Sequence, residues 1–124
     1  MKESPLFLVA AIFNWLVGGS LLFTYPLTAK LLGLTGPPDV FFHIVAGIVT
    51  LFGFVYWLIW RDADRYRPFI GLGAIAKLVF VVAIYAHWLT GSASGMLALL
   101  VTADLIFAVL FFQNLRASRL QFSP

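Results

Sequence analysis

No cysteine occurs among the 124 residues of the chain. Its absence excludes disulfides, thiolate catalysis, cysteine-ligated zinc, iron–sulfur clusters and covalently attached c-type haem. Charge is nearly as scarce. Asp, Glu, Lys and Arg together make up 10% of the sequence, against about 25% in an ordinary soluble domain. So few charged groups cannot coat a soluble globule of this size. A typical soluble enzyme, a disordered tail and a nucleic-acid module are excluded on that ground. Catalytic signatures are missing too: the sequence holds no phosphate loop, dinucleotide fingerprint, nucleophile elbow, HExxH motif or paired-carboxylate site. No cofactor and no metal are expected as the leading reading, and nothing positive points to an enzyme.

What the chain does contain is apolar. Hydrophobic residues account for 62% of it, and the mean hydropathy is +1.00. A membrane-spanning helix needs about 20 mostly apolar residues. Four stretches qualify: Leu6–Tyr25, Val40–Trp60, Phe69–Thr90 and Gly95–Leu115. Pro26, Gly33, Gly36, Pro37 and Pro38 break the chain between the first two, with Leu27–Leu34 as a short interfacial element. RDADRYRP, at Arg61–Pro68, is the one strongly charged loop, and GSASG at Gly91–Gly95 reads as a tight polar turn. The predicted fold is all-α: a single integral membrane domain over residues 1–124, folded as an antiparallel four-helix bundle. The first span has the opening of a signal peptide. However, its apolar run is about 20 residues long and no A-x-A-like site follows, so it reads as a span.

The basic residues act as topology signals. Lys2, Arg61, Arg65, Arg67, Arg116 and Arg119 fall on one side of the bundle and only Lys30 on the other. Positive-inside asymmetry then places both termini in the cytoplasm. Tyr56, Trp57, Trp60 and Tyr66 are expected as aromatic anchors on that edge, and Tyr25, Tyr85 and Trp88 on the other.

Ionisable groups inside hydrocarbon are costly, by at least about 2.5–3.5 kcal/mol, and so face the bundle interior with a partner. Lys77 lies about 13 Å into the third span and Asp104 about 17 Å into the fourth, measured from the cytoplasmic side at ~1.5 Å per residue. Asn14 lies at the depth of Lys77. Spans three and four are joined by a tight turn, so a Lys77–Asp104 ion pair is the natural inference; each side chain leans toward its own helix N-terminus, which stretches the pair, so either the long lysine arm closes the gap or a water or Asn14 stands between them. The cluster reads either as a polar pin that sets helix register, as an anchor for a ligand, or as part of an ion relay. His43 and His87 share a depth of about 5–6 Å below the opposite interface. They read as amphipathic rings at the headgroup boundary or, with Asp39, as a pair able to take a metal or a b-type haem.

Helical spacing groups Asn14, Gly18 and Tyr25 on span one; His43, Gly47 and Thr50 on span two; Lys77, Ile84 and Trp88 on span three; and Leu97, Leu100, Asp104, Phe107 and Phe111 on span four. Gly18, Gly47 and Gly73 leave room for close helix contact or a cavity. A pocket is expected between Asn14, Lys77 and Asp104, bounded by Ile84, Phe107 and Phe111.

GLTGPP before span two, RDADRYRP, the GAIAK opening of span three and TADLIFAVLF in span four resemble the small four-span DoxX-like bacterial membrane proteins. The resemblance covers nearly the whole chain and carries no catalytic signature. Small multidrug resistance transporters share the four short spans but place a glutamate in the first, where this chain has Asn14. The sterol-binding and isomerase bundles are longer and richer in acidic residues. The leading functional expectation is a membrane protein that binds a small apolar ligand, or a partner helix, within the bundle. A proton-coupled transporter or channel subunit acting as an oligomer is the alternative, and a structural or assembly factor is the third. The bilayer, a small hydrophobic ligand and a second copy or partner membrane protein are the expected partners.

Overall fold

A computed structural model describes residues 5–35 and 37–121, from residue 118 by backbone alone. Lys2 and Gly36 lie outside the described residues, as does the side chain of Arg119. Five helices follow in order: α1 (Leu6–Phe23), α2 (Tyr25–Leu32), α3 (Val40–Arg61), α4 (Pro68–Leu89) and α5 (Gly95–Gln121). Among the described residues there is no strand. α1, α3, α4 and the Gly95–Ala117 part of α5 are each long and apolar enough to cross a membrane. The chain is therefore a multi-pass, all-helical membrane bundle. Its spans begin and end within two residues of the expected positions, with the exception of α5, which continues past Leu115.

Local chemistry sets the boundaries. α1 gives way at Thr24, whose hydroxyl donates to the Ser20 carbonyl, and Pro26 falls in the first turn of α2, where a missing N–H costs nothing. Gly33 ends α2 at φ 69°, the left-handed conformation that a Cβ disfavours. Asp39 caps α3 by accepting from the Phe42 amide at 2.8 Å. Pro68 opens α4. The Ser94 hydroxyl accepts from the Leu97 amide at the start of α5. The short interfacial element is thus α2, a full helix of 8 residues.

Alternation of direction brings the start of α1, the α3–α4 loop and the end of α5 to one face, called here the terminal face. Packing is closest within two antiparallel pairs, α1 with α3 and α4 with α5. α1 and α3 approach through Gly18, where an added Cβ would come within 2.2 Å of Thr50 Oγ1 and 3.0 Å of the Thr50 backbone nitrogen. The two pairs join in the terminal half. There Phe7, Ala10, Ala11, Tyr56, Ile59, Ile70, Ala74 and Phe111 form a buried core. The other half of the bundle is hollow, and α2 lies across it with its end tied to α5 by a Ser94 Oγ hydrogen bond to the Leu32 carbonyl.

Candidate functional site

Lys77 stands at the boundary between the packed and hollow halves. Its ammonium donates to Asp104 Oδ1 at 2.5 Å and to Asn14 Oδ1 at 3.0 Å. Asn14 Nδ2 in turn donates to the Val49 carbonyl at 3.0 Å. One lysine therefore ties α4 to α5 and α1, and through Asn14 to α3. Three rings complete its surroundings. Phe107, Tyr56 and Phe13 have their centroids 5.1, 5.2 and 5.4 Å from Nζ, inside the range of about 6 Å at which a ring face attracts a cation. The expected ion pair forms directly. The opposed lean of the two side chains is overcome because four methylenes let the ammonium travel, while the shorter Asp104 stays close to its own helix.

Burial differs within the cluster. Lys77 is 3% exposed and Asn14 6%, whereas the Asp104 side chain keeps 20% of its surface. That surface faces a cavity of about 230 Å³, which fills the hollow half. Asn14, Lys77, Asp104 and Tyr56 form its floor. Phe42, Val45 and Val49 of α3 and Phe80 and Ile84 of α4 contribute to its walls, and Leu32 and Leu34 lie at its far end. The lining is almost wholly apolar.

The expected pocket is thus present but its boundaries are corrected. Ile84 lines it. Phe107 and Phe111 do not: Phe107 packs against the ammonium, and Phe111 is fully buried, stacked on Phe7 with centroids 5.0 Å apart. Both lie on the terminal side of the cluster, because that half of the interior is filled rather than open. On α3 the expected stripe is displaced. Nothing lies within 4 Å of a Cβ built on Gly47, and His43 is exposed. Ala46, Gly53, Tyr56 and Ile59 are the buried line instead. The displacement follows from the tight crossing at Gly18, which brings the Thr50 and Ala46 backbone onto α1 and rotates Gly47 outward. Trp88 is likewise 46% exposed rather than interior.

His43 and His87 each find a local partner. His43 Nδ1 lies 3.0 Å from the Asp39 carbonyl oxygen, and His87 Nδ1 lies 3.0 Å from Ser92 Oγ. Among the described residues no hydrogen bond or ring contact joins the two imidazoles, and the Asp39 carboxylate is engaged as the α3 cap. Among the described residues no group of three or more His, Cys, Asp or Glu side chains is placed to hold a metal ion.

Tyr56 is the residue that sequence reasoning misplaced. It is no edge anchor. It is 1% exposed, seated over Gly73, with its hydroxyl donating to the Gly73 carbonyl at 3.4 Å. A Cβ on Gly73 would come within 2.6 Å of the Tyr56 ring, so the glycine makes the recess. The sequence signal was the residue with no side chain on the facing span. Phe13 was missed as well, since a phenylalanine in a span full of apolar residues carries no mark of its contact with a cation. Comparison of the chain with protein-family models, curated proteins and solved structures finds no match.

Proposed function

We propose that this protein binds a small, largely apolar molecule inside the membrane, in the cavity above the Lys77–Asp104–Asn14 cluster. The observation that carries the reading is the cavity itself: about 230 Å³ of apolar space ends on a partly exposed carboxylate. Cores are ordinarily close-packed, and a void of this size forfeits contacts on every wall. Occupation by an apolar molecule restores them. The closed terminal half supports binding over passage. Phe7, Tyr56, Ile59 and Phe111 are each exposed by 1% or less, whereas a hydrated path needs polar lining from face to face. The lining, Leu32 and Leu34 at the far end included, is almost wholly apolar, and in this reading the bilayer is the source of the ligand. In this reading the terminal face is cytoplasmic and the membrane is the bacterial inner membrane. The DoxX-like resemblance is compatible with it and adds no site residue.

The test is to purify the chain in mild detergent, extract it with organic solvent and compare the extract with that of Ile84→Trp, which fills the cavity without touching the polar cluster. A molecule present in near-stoichiometric amount in the wild type and absent from the variant is the expected result. Equal recovery from both would place any bound molecule elsewhere. Proton flux in liposomes that is lost in Asp104→Asn would replace binding with transport.

A further inference from the structure

The cavity floor offers a ligand one kind of hydrogen-bonding atom. Two of the Lys77 N–H groups are engaged by Asp104 and Asn14, its other near neighbours are ring faces, and the side chain is almost wholly buried. The Asn14 amide is used on both sides, by Lys77 at its oxygen and by the Val49 carbonyl at its nitrogen. The Tyr56 hydroxyl is turned to Gly73. Asp104 differs. Only Oδ1 is bonded among the described residues, the side chain is 20% exposed, and it lines the cavity. The available atom is therefore Oδ2, an acceptor, and a ligand meets it with a donor.

Charge narrows the donor further. Lys77 and Asp104 already balance each other, so a cationic ligand would add an unpaired charge beside an ammonium in a low-dielectric interior, at a large desolvation cost. An anionic ligand would face the carboxylate. A neutral O–H meets neither penalty. Size follows from volume: an apolar cavity of roughly 150 Å³ takes up benzene, and this one is half as large again. We propose that the cavity selects a neutral apolar molecule with a single hydroxyl, an alcohol or phenol somewhat larger than benzene, whose hydroxyl donates to Asp104 Oδ2 while its hydrocarbon lies against Phe42, Val45, Val49, Phe80 and Ile84. This inference rests on the ligand-binding reading and adds the chemical class.

Three probes of matched shape test it on the full chain in lipid nanodiscs, with partition into empty discs subtracted: 4-propylphenol, propylbenzene and 4-propylbenzylammonium. A hydrogen bond to a charged acceptor makes the phenol bind about tenfold or more tightly than propylbenzene, and the ammonium no better than propylbenzene. In Lys77→Met/Asp104→Leu, which removes both charges and leaves no lone ion to unfold the bundle, the phenol loses its advantage. In Ile84→Trp both neutral probes lose saturable binding. Equal affinity of phenol and propylbenzene in the wild type overturns the hydroxyl inference and leaves apolar binding standing, whereas no saturable binding of either overturns both. Preference for the ammonium, a phenol advantage that survives in the double variant, or full binding in Ile84→Trp each overturns the proposed contact.

Discussion

Lys77 is held by a carboxylate, an amide oxygen and three ring faces. Removing one member of a buried ion pair leaves the other charge without compensation, at a cost of about 3–5 kcal/mol, while replacing both by apolar groups costs much less. Thermal unfolding in detergent is therefore expected to show a larger loss for Lys77→Met or Asp104→Asn alone than for Lys77→Met/Asp104→Leu. Additive losses would contradict the direct contact. Asn14→Leu removes the bridge to α1 and α3 but leaves the ion pair, so its expected cost is about 1 kcal/mol, the scale of an interhelical hydrogen bond in a membrane. The lysine, the aspartate and the asparagine were all legible in the sequence, because an ionisable or amide group in an apolar run is rare. The ring faces around them were not, since aromatic residues in spans are common and helical spacing does not say which of them meets a neighbouring helix.

Helix contacts turn on single small residues. At Gly18 the α3 backbone lies so close that a side chain has no room. Gly18→Val is expected to push α1 from α3 and to cost about 1–3 kcal/mol, as overpacking does. Gly47 has nothing near its missing Cβ. Gly47→Ala is expected to be neutral or to raise stability by up to about 1 kcal/mol through helix propensity. Measured unfolding midpoints of the two variants, moving in opposite directions or apart by that margin, would check the α1–α3 register. Ser94 serves α2 and α5 together, accepting from the Leu97 amide and donating to the Leu32 carbonyl. Ser94→Ala removes both contacts. Loss of the cap alone costs about 0.5–2 kcal/mol, and faster hydrogen exchange is expected at the end of α2 as well as at the start of α5. Exchange altered only in α5 would separate α2 from it. The spans themselves were legible as long apolar runs. α2 was legible only as an interruption, since 8 residues are too few for a helical period to stand out from the flanking proline and glycine.

The molecule as a whole is filled in one half and hollow in the other. That division has an expected consequence for stability. Phe111→Ala, in the filled half, is expected to cost about 3–5 kcal/mol, as large aromatic truncations in cores do. Ile84→Ala enlarges a space that already exists and is expected to cost less. Unfolding measurements that gave the reverse order would place the tight packing elsewhere. Orientation belongs to this scale as well. Arg61, Arg65 and Arg67 gather on the terminal face, with Arg61 lying over the Trp57 ring and Arg65 over Tyr66. Reporter fusions after Trp60 and at the C-terminus are expected to be cytoplasmic, and a fusion within Thr35–Asp39 external. A cytoplasmic signal at Thr35–Asp39 would overturn the four-span topology.

Composition and run length determined that this chain is an all-helical bundle with four helices apolar enough to cross a membrane, and the rarity of ionisable groups in such runs marked Lys77 and Asp104 as interior residues. Those are properties of transfer from water to hydrocarbon, which act on each segment separately and leave their mark on each segment's residues. Tertiary structure alone decided that Tyr56 enters the core, that Gly47 turns outward and that Phe107 and Phe111 close the half below the cluster. It also decided that the cavity lies above it, toward α2. These depend on helix rotation and separation, which in lipid are set by close packing at a few contacts such as Gly18 and Gly73 rather than by any difference in hydrophobicity between one face and another. A uniformly apolar helix does not announce which of its sides will find a partner.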